Sequence, residues 1–147
     1  MTGTFSCETP DDTFALGERI GADLKSGDVL LLKGGLGAGK TLLTKGILNA
    51  LGFDIDEVTS PSFTLVNLYR TPTVDVYHID LWRLHENSDV VSAVGFEEIL
   101  AEENNIAIIE WSEKLRSFPH SGRIIAISIA GDGDDPRTID IRSVRPA

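Results

Sequence analysis

The chain has 147 residues and a mass of 15.9 kDa, which fits one domain of ordinary size, and we expect a single domain over 1–147. Its 23 acidic residues outnumber the 13 basic ones, and the net charge of −10 argues against a protein that grips nucleic acid directly. The one cysteine, Cys7, excludes an internal disulfide. No signal peptide or membrane-spanning stretch is evident, so we expect a cytoplasmic protein without membrane contact.

The first predicted elements are a helix, a strand and a second helix. Thr9-Pro10-Asp11-Asp12 combines a hydroxyl cap, a proline and acidic residues, which is typical of a helix start. The apolar run 29–32 predicts a buried parallel strand covered by helices. Apolar residues at helical spacing follow over 42–51 and stop at Gly52, which predicts a second helix.

The second half of the chain contains further strand patterns. Alternating segments 63–69 and 74–81 predict an antiparallel hairpin, and 89–100 has a helical pattern broken at Gly95. The run 106–109 predicts another buried strand. Segments 123–129 and 138–144, around the turn 131–136, predict a hairpin at the sheet edge. The acidic part of that turn lacks the spacing of a calcium loop, so we interpret it as a solvated turn.

A phosphate-binding motif lies between the first strand and the second helix. Residues 34–41 read Gly-Gly-Leu-Gly-Ala-Gly-Lys-Thr and fit the pattern G-x-x-x-x-G-K-[ST]. Glycines let backbone N–H groups surround phosphate oxygens at a helix N-terminus, Lys40 adds a positive charge, and the Thr41 hydroxyl can ligate Mg²⁺. The motif predicts a nucleotide triphosphatase that binds its nucleotide with Mg²⁺, and the residues expected around the phosphates are Gly35, Leu36, Gly37, Ala38, Gly39, Lys40, Thr41 and Leu42. With the strand and helix patterns it predicts an α/β fold, namely a three-layer sandwich like that of P-loop NTPases, with a mixed, mainly parallel sheet and antiparallel hairpins.

Two carboxylates are candidates for the metal and water site. Glu110 follows the strand 106–109, and ligands bind at the carboxyl ends of strands in such sheets. Asp80 shares one face of its strand with His78, because strand side chains alternate. Position alone leaves open that Glu110 faces solvent and that Asp80 and His78 form a polar face without chemistry. The hydroxyl-rich segment 59–62 is either a switch-like loop over the γ-phosphate or an ordinary turn.

Several segments together resemble the bacterial TsaE family, the ATPase component of the machinery that makes threonylcarbamoyl-adenosine in tRNA. They are the phosphate loop 34–41, Ser-Pro-Ser-Phe-Thr-Leu-Val at 60–66, Tyr-His-Ile-Asp-Leu-Trp-Arg-Leu at 77–84, and Ile-Glu-Trp at 109–111. The phosphate loop is shared by many enzymes, whereas the second half of this set is much more specific. One difference is Gly35, where the family usually has an acidic residue, and a milder one is Trp82 in place of Tyr.

The resemblance implies roles for individual residues. The chain would bind ATP or ADP, with Lys40 and Thr41 at the phosphates and Mg²⁺, and Asp80 and Glu110 would complete the metal and water site. Trp111 would lie beside the nucleotide or couple it to partners, and Thr13 would lie near the adenine. The chain would act on the other protein components of the threonylcarbamoyl transfer complex, with tRNA contacted only indirectly, and hydrolysis would be partner-activated.

Two alternatives remain open at this stage. A small-molecule P-loop kinase would need a basic lid, but between Arg83 and Arg123 the only basic residues are Lys114 and Arg116. A nucleotide-gated docking subunit would need ATP binding without hydrolysis. A GTPase is disfavoured because no Asn-Lys-x-Asp sequence occurs.

Overall fold

The computed structural model describes residues 2–35, 39–58, 66–80, 104–110 and 122–144. Within these ranges lie two α-helices, a short 3₁₀ helix at Ile55–Glu57 and seven strands. The helices are α1 (Pro10–Asp23) and α2 (Lys40–Ala50), and the strands are β1 (Gly3–Cys7), β2 (Val29–Lys33), β3 (Val66–Arg70), β4 (Asp75–Asp80), β5 (Asn105–Glu110), β6 (Ile124–Ala130) and β7 (Arg137–Val144). Neither α1 nor α2 is long and apolar enough to cross a membrane, and no other described helix is.

The seven strands form one sheet in the order β1-β7-β6-β2-β5-β4-β3. The four adjacent strands β6, β2, β5 and β4 are parallel, while β3, β7 and β1 pair antiparallel with their neighbours. This arrangement confirms the predicted α/β fold with a mixed central sheet. The predicted helices within 89–100, the segment 59–65 and Trp111 lie outside the described residues.

Both predicted hairpins exist, but one of them occupies a different place in the sheet. β3 pairs with β4 and β6 pairs with β7, as the alternating sequences indicate. The prediction that the β6–β7 hairpin forms the sheet edge is wrong, because β1 pairs with the outer side of β7. Sequence reasoning missed β1, since Cys7 is its only fully buried residue and its apolar signal is therefore weak.

The start of α1 agrees with the predicted cap. The Thr9 side chain accepts a hydrogen bond from the Asp12 backbone N–H at 3.2 Å, and the Asp12 carboxylate accepts one from the Thr9 N–H at 3.2 Å. This reciprocal capping box, with Pro10 at the first helical position, satisfies backbone donors that the helix itself leaves free. The cap therefore fixes where α1 begins, and with it the position of Thr13 one turn later.

Both faces of the central strands are removed from solvent. Leu30, Leu32 and Ile108 belong to the core cluster that includes residues of α1 and α2. Val29 and Ile109, which alternate with them along the same strands, are buried as well. Strands covered on both sides are typical of parallel sheets in three-layer folds.

The two helices contact each other backbone to backbone through glycines. A Cβ added at Gly46 of α2 would lie 2.2 Å from the carbonyl oxygen of Phe14, and one at Gly17 of α1 would lie 2.4 Å from that of Leu43. Only residues without a side chain permit this approach. The crossing therefore holds α1, with Thr13, in a fixed position beside the helix that carries Lys40.

Candidate functional site

The N-terminus of α2 begins with a residue whose conformation suits glycine. Gly39 has a φ of +105° and precedes the helix, and its carbonyl accepts the first helical hydrogen bond from Leu43 N–H at 3.0 Å. L-residues with a side chain rarely adopt this left-handed conformation. The loop therefore turns sharply into the helix, and Lys40 becomes its first residue.

Lys40 reaches from α2 to the end of β5. Its side chain is buried, and Nζ lies 3.6 Å from Oε1 of Glu110. Glu110 pairs in register with Leu32, the residue before the end of β2, and with Asp80, the last residue of β4. The sheet thus places the carboxyl ends of three parallel strands beside the start of α2, where open α/β sheets bind their ligands.

The predicted trio of Lys40, Asp80 and Glu110 comes together at this place. Asp80 is 4% and Glu110 5% exposed, so the alternative of a solvent-facing Glu110 is wrong. His78, on the same strand as Asp80, is completely buried, and whether this polar face takes part in chemistry stays a prediction. Charged groups are rarely buried without partners or a function.

Sequence reasoning assigned no role to His78, which contacts Glu110 directly. The Nε2 atom of His78 lies 2.5 Å from Oε2 of Glu110, and the two residues are 32 positions apart. The two carboxylate oxygens of Glu110 are thus approached by different partners, His78 on one and Lys40 on the other. The signal available in the sequence was the spacing His-x-Asp on one strand face, which pointed to a histidine near Asp80 but not to this contact.

The surroundings of Glu110 favour its ionised form. Burial alone would raise the pKa of Glu110, but the hydrogen bond from His78 and the positive charge of Lys40 act in the opposite direction, and its pKa lies below the ordinary value. The carboxylate therefore stays ionised at neutral pH and is able to accept hydrogen bonds.

An open pocket adjoins the start of α2 on the side of α1. Its walls include Cys7, Thr13, Gly39 and Leu42, of which Thr13, Gly39 and Leu42 are among the predicted nucleotide contacts. The lining also includes Gly133 to Asp135 of the β6–β7 turn and Arg137. That turn is exposed, as expected for a solvated turn, but sequence reasoning missed its place beside the phosphate loop.

The other predicted site residues have different positions. Thr41 is exposed in the first turn of α2. Gly35 is exposed just beyond β2. Leu36, Gly37, Ala38 and Trp111 lie outside the described residues.

Comparison with known proteins connects this geometry to one family. A family model described as threonylcarbamoyl adenosine biosynthesis protein TsaE matches residues 7–139. The tRNA threonylcarbamoyladenosine biosynthesis protein TsaE of Mycobacterium tuberculosis is 38% identical over 120 residues, which cover 77% of this chain and 70% of the relative. The protein of the same name from Bacillus subtilis is 34% identical over 135 residues, covering 92% and 82%.

A solved structure with a similar fold supports this assignment. The crystal structure of YdiB from Bacillus subtilis superposes with a TM-score of 0.71 at 29% sequence identity, covering 98% of this chain and 86% of YdiB. The family model spans most of the chain, and relatives above 30% identity match it over most of their length. The chain therefore belongs to the TsaE family, the family of threonylcarbamoyl adenosine biosynthesis proteins.

Proposed function

We propose that this chain is the ATP-binding and ATP-hydrolysing component of the machinery that makes threonylcarbamoyl-adenosine in tRNA. The observation that carries the proposal is the placement of Lys40 and Glu110, 3.6 Å apart, where the start of α2 meets the end of β5. A lysine at a helix N-terminus, opposite carboxylates at the ends of parallel strands, is the arrangement that P-loop NTPases use for phosphoryl transfer.

The nucleotide would lie across the start of α2. Its phosphates would bind the backbone N–H groups of the loop 35–42, where the helix dipole adds about half a positive charge. Lys40 would bind the β- and γ-phosphoryl oxygens. The base would enter the pocket lined by Thr13, Gly39 and Leu42, and Trp111 would contribute a further contact, as the family resemblance implies.

The residues present fit a bound Mg²⁺. Asp80 and Glu110 supply buried carboxylate oxygens at neighbouring register positions, and Thr41 supplies a hydroxyl in the first turn of α2. No group of three or more His, Cys, Asp or Glu side chains that could hold a metal occurs among the described residues. This donor set suits Mg²⁺, which is usually held by one or two carboxylates, phosphate oxygens and water rather than by a complete protein cage. When bound, the ion would neutralise negative charge on the phosphates.

The protein side chains would divide the remaining work. Lys40 would stabilise charge that develops on the γ-phosphoryl oxygens, and Glu110, held ionised by its neighbours, would accept a hydrogen bond from the attacking water and orient it. Water would be the acceptor of the γ-phosphoryl group, ADP the leaving group, and free phosphate the second product.

The proposed partners are proteins rather than RNA. The relatives are named for the biosynthesis of a tRNA modification, while the net charge of −10 on this chain repels a phosphate backbone. We therefore propose that the other proteins of the threonylcarbamoyl transfer complex hold the tRNA. This chain would dock on them in the cytoplasm and reset the complex by hydrolysis, with slow turnover when alone.

The test is nucleotide binding and phosphate release by the purified chain with Mg²⁺. The unsubstituted protein should bind ATP in a calorimetric titration and release phosphate, whereas Lys40→Ala should lose at least about tenfold in affinity, the result of removing a charge-assisted contact. Lys45→Ala is the matched control, since Lys45 lies in the same helix outside the predicted loop. Unchanged ATP affinity in Lys40→Ala would overturn the proposed site.

A second experiment addresses the partners. The chain is used as bait in a native extract, once with ATP and once with ADP, and the retained proteins are identified. Retention of the threonylcarbamoyl transfer proteins in a nucleotide-dependent manner would support the proposal. Transfer of the γ-phosphate to a metabolite, instead of release as free phosphate, would favour the kinase alternative.

A further inference from the structure

The completely buried His78 lies beneath the candidate site, and its surroundings limit how its ring can turn. It stands opposite Asn67 of β3 and Ile108 of β5 in the sheet register. The ring of Tyr69 lies 6.2 Å from the imidazole, centroid to centroid, and Tyr69 is itself packed against Phe53 at 4.9 Å. Because the side chain is completely buried, the imidazole has few alternative orientations.

The two ring nitrogens of His78 have different environments. Nε2 lies 2.5 Å from Oε2 of Glu110. Nδ1 is buried and has no hydrogen-bond partner among the described residues. Because the Glu110 carboxylate is an acceptor only, the proton has to lie on Nε2. An unprotonated Nδ1 has no hydrogen to donate and so needs no acceptor. The neutral tautomer with hydrogen on Nε2 therefore explains the environments of both ring nitrogens.

This environment makes His78 a donor on one side only. A histidine that relays protons needs a partner on each ring nitrogen, and no described residue offers one to Nδ1. The hydrogen bond instead fixes one oxygen of Glu110, while Lys40 attracts the other from 3.6 Å. Partners on two different elements, β4 and α2, oppose rotation of the carboxylate about its own bond.

We propose that His78 is a positioning residue, whose Nε2–H fixes the Glu110 carboxylate with Oε1 directed toward Lys40 and the start of α2. The inference rests on the proposed function, in which Glu110 orients the attacking water. Positioning groups behind a catalytic carboxylate are typically required for rate rather than for substrate binding.

The test compares two substitutions of His78. Gln retains an N–H donor on an unbranched side chain, whereas Leu fills a similar volume without a donor. In single-turnover hydrolysis of labelled ATP with Mg²⁺, His78→Leu should lower the rate about 10–100-fold, in the range found when groups that orient a metal-site ligand are removed. His78→Gln should retain most of the rate, and the Kd for ATP should change less than about threefold in both variants.

A double substitution separates positioning from general damage. If His78 acts through Glu110, His78→Leu should lower the rate little further in a Glu110→Gln background, because residues in one unit are not additive. Equal rates in all His78 variants, equal losses in Gln and Leu variants that remain folded, or a parallel loss of ATP affinity would each overturn the positioning role.

A measurement on the unsubstituted protein keeps the inference testable even if His78→Leu does not fold. Nitrogen-15 spectra of the three histidines, assigned with His78→Gln, should show hydrogen on Nε2 of His78 and a bare Nδ1, and Glu110→Gln should shift the Nε2 resonance. Hydrogen on Nδ1 would overturn the proposal.

Two outcomes distinguish failure of the proposed function from failure of the positioning role. If the unsubstituted chain bound and hydrolysed no ATP, both would fail together. If it hydrolysed ATP and His78→Leu hydrolysed it at the same rate, only the positioning role would fail.

Discussion

Lys40 and Glu110 form a buried ion pair, with Nζ 3.6 Å from Oε1, that joins the first residue of α2 to the last residue of β5. An incoming γ-phosphate would therefore compete with the carboxylate for the attraction of Lys40. Replacing Glu110 by Gln keeps its shape but removes its negative charge. We expect Glu110→Gln to bind ATP as tightly as the unsubstituted chain or tighter, while hydrolysis falls by about 10²–10³-fold because the water is no longer oriented.

Calorimetry and a phosphate-release assay on the same preparation measure the two effects separately. Glu57→Gln is the matched control. Glu57 is exposed in the 3₁₀ helix, and it is distant in sequence from Asp80 and Glu110 at the strand ends. Equal losses of binding and hydrolysis would contradict the role given to Glu110. If Glu110→Gln restored a strain lacking this chain, hydrolysis would not be required, and the docking alternative would be favoured.

The glycine contact between α1 and α2 leads to a prediction about stability. In an isolated helix, Gly46→Ala would gain about 1 kcal/mol from helix propensity. Here the new Cβ would lie 2.2 Å from the Phe14 carbonyl oxygen and 3.0 Å from Cα of Gly17. These are backbone atoms, so the helices have to separate, and overpacking of this kind costs about 1–3 kcal/mol or more. We expect a net loss of stability of about 1–3 kcal/mol.

Urea unfolding followed by circular dichroism measures this change. The same helix offers Lys45→Ala as a control, for which we expect a change within about 0.5 kcal/mol because its side chain is only partly buried and its truncation adds no atom at the helix crossing. A Gly46→Ala variant that is more stable than the unsubstituted chain would show that helix propensity outweighs the close crossing.

The sequence predicted most of the fold because local signals were strong. Local sequence alone is sufficient to recognise the apolar runs in β2 and β5 and the capping residues around Thr9. The motif at 34–41 and the end of the strand 106–109 made Lys40 and Glu110 candidates for a site, but position alone left a solvent-facing Glu110 open, and the resemblance to the family was needed to join them. β1 was missed because a short strand with one buried residue has almost no pattern.

Other features depend on contacts between distant parts of the chain. His78 and Glu110 meet only because β4 and β5 are parallel neighbours in register. Gly46 meets Gly17 only because of the crossing angle of two helices. The β6–β7 turn contributes to the pocket near Gly39, although Gly133 of this turn follows Gly39 by more than 90 residues in the sequence. No local periodicity carries such information.

Gly35, where the resemblance to the family leads one to expect an acidic residue, gives a third prediction. It is exposed, its φ is outside the left-handed region, and an added Cβ would meet no atom within 4 Å among the described residues. We therefore expect Gly35→Glu to fold with unchanged or slightly higher stability, by up to about 1 kcal/mol, because the unfolded chain loses freedom. The added charge near the phosphate loop should weaken ATP binding by no more than about fivefold, and this effect should shrink with added salt.

Thermal unfolding and titrations at low and high ionic strength check these expectations, with Gly35→Gln as the uncharged control. If Gly35→Gln weakened ATP binding as much as Gly35→Glu, the effect would be steric, and the open space around this position would not extend to the bound state. A large loss of stability in both variants would show that the position requires glycine.

Cys7 gives a fourth prediction, because it is the only cysteine of the chain and lines the pocket proposed for the base. Burial raises the pKa of the Cys7 thiol, the negative charge of Asp12 adds to this, and a hydrogen bond with Thr13 opposes it. Since the thiolate is the reactive form, alkylation by iodoacetamide should be slow at neutral pH and should continue to accelerate above about pH 8.5. A nucleotide that fills the pocket should slow it further.

The expected protection follows from mass action. If the bound form does not react, the alkylation rate falls by the factor 1 + [L]/Kd, which is about tenfold at a nucleotide concentration ten times Kd. Mass spectrometry counts a single adduct, so the rate reports on this position alone. Lys40→Ala at the same ADP concentration is the control and should show little protection, because its phosphate contact is lost. Equal alkylation rates with and without saturating ADP in the unsubstituted protein would place the base elsewhere, while the role of Lys40 at the phosphates would still be decided by the calorimetric titration.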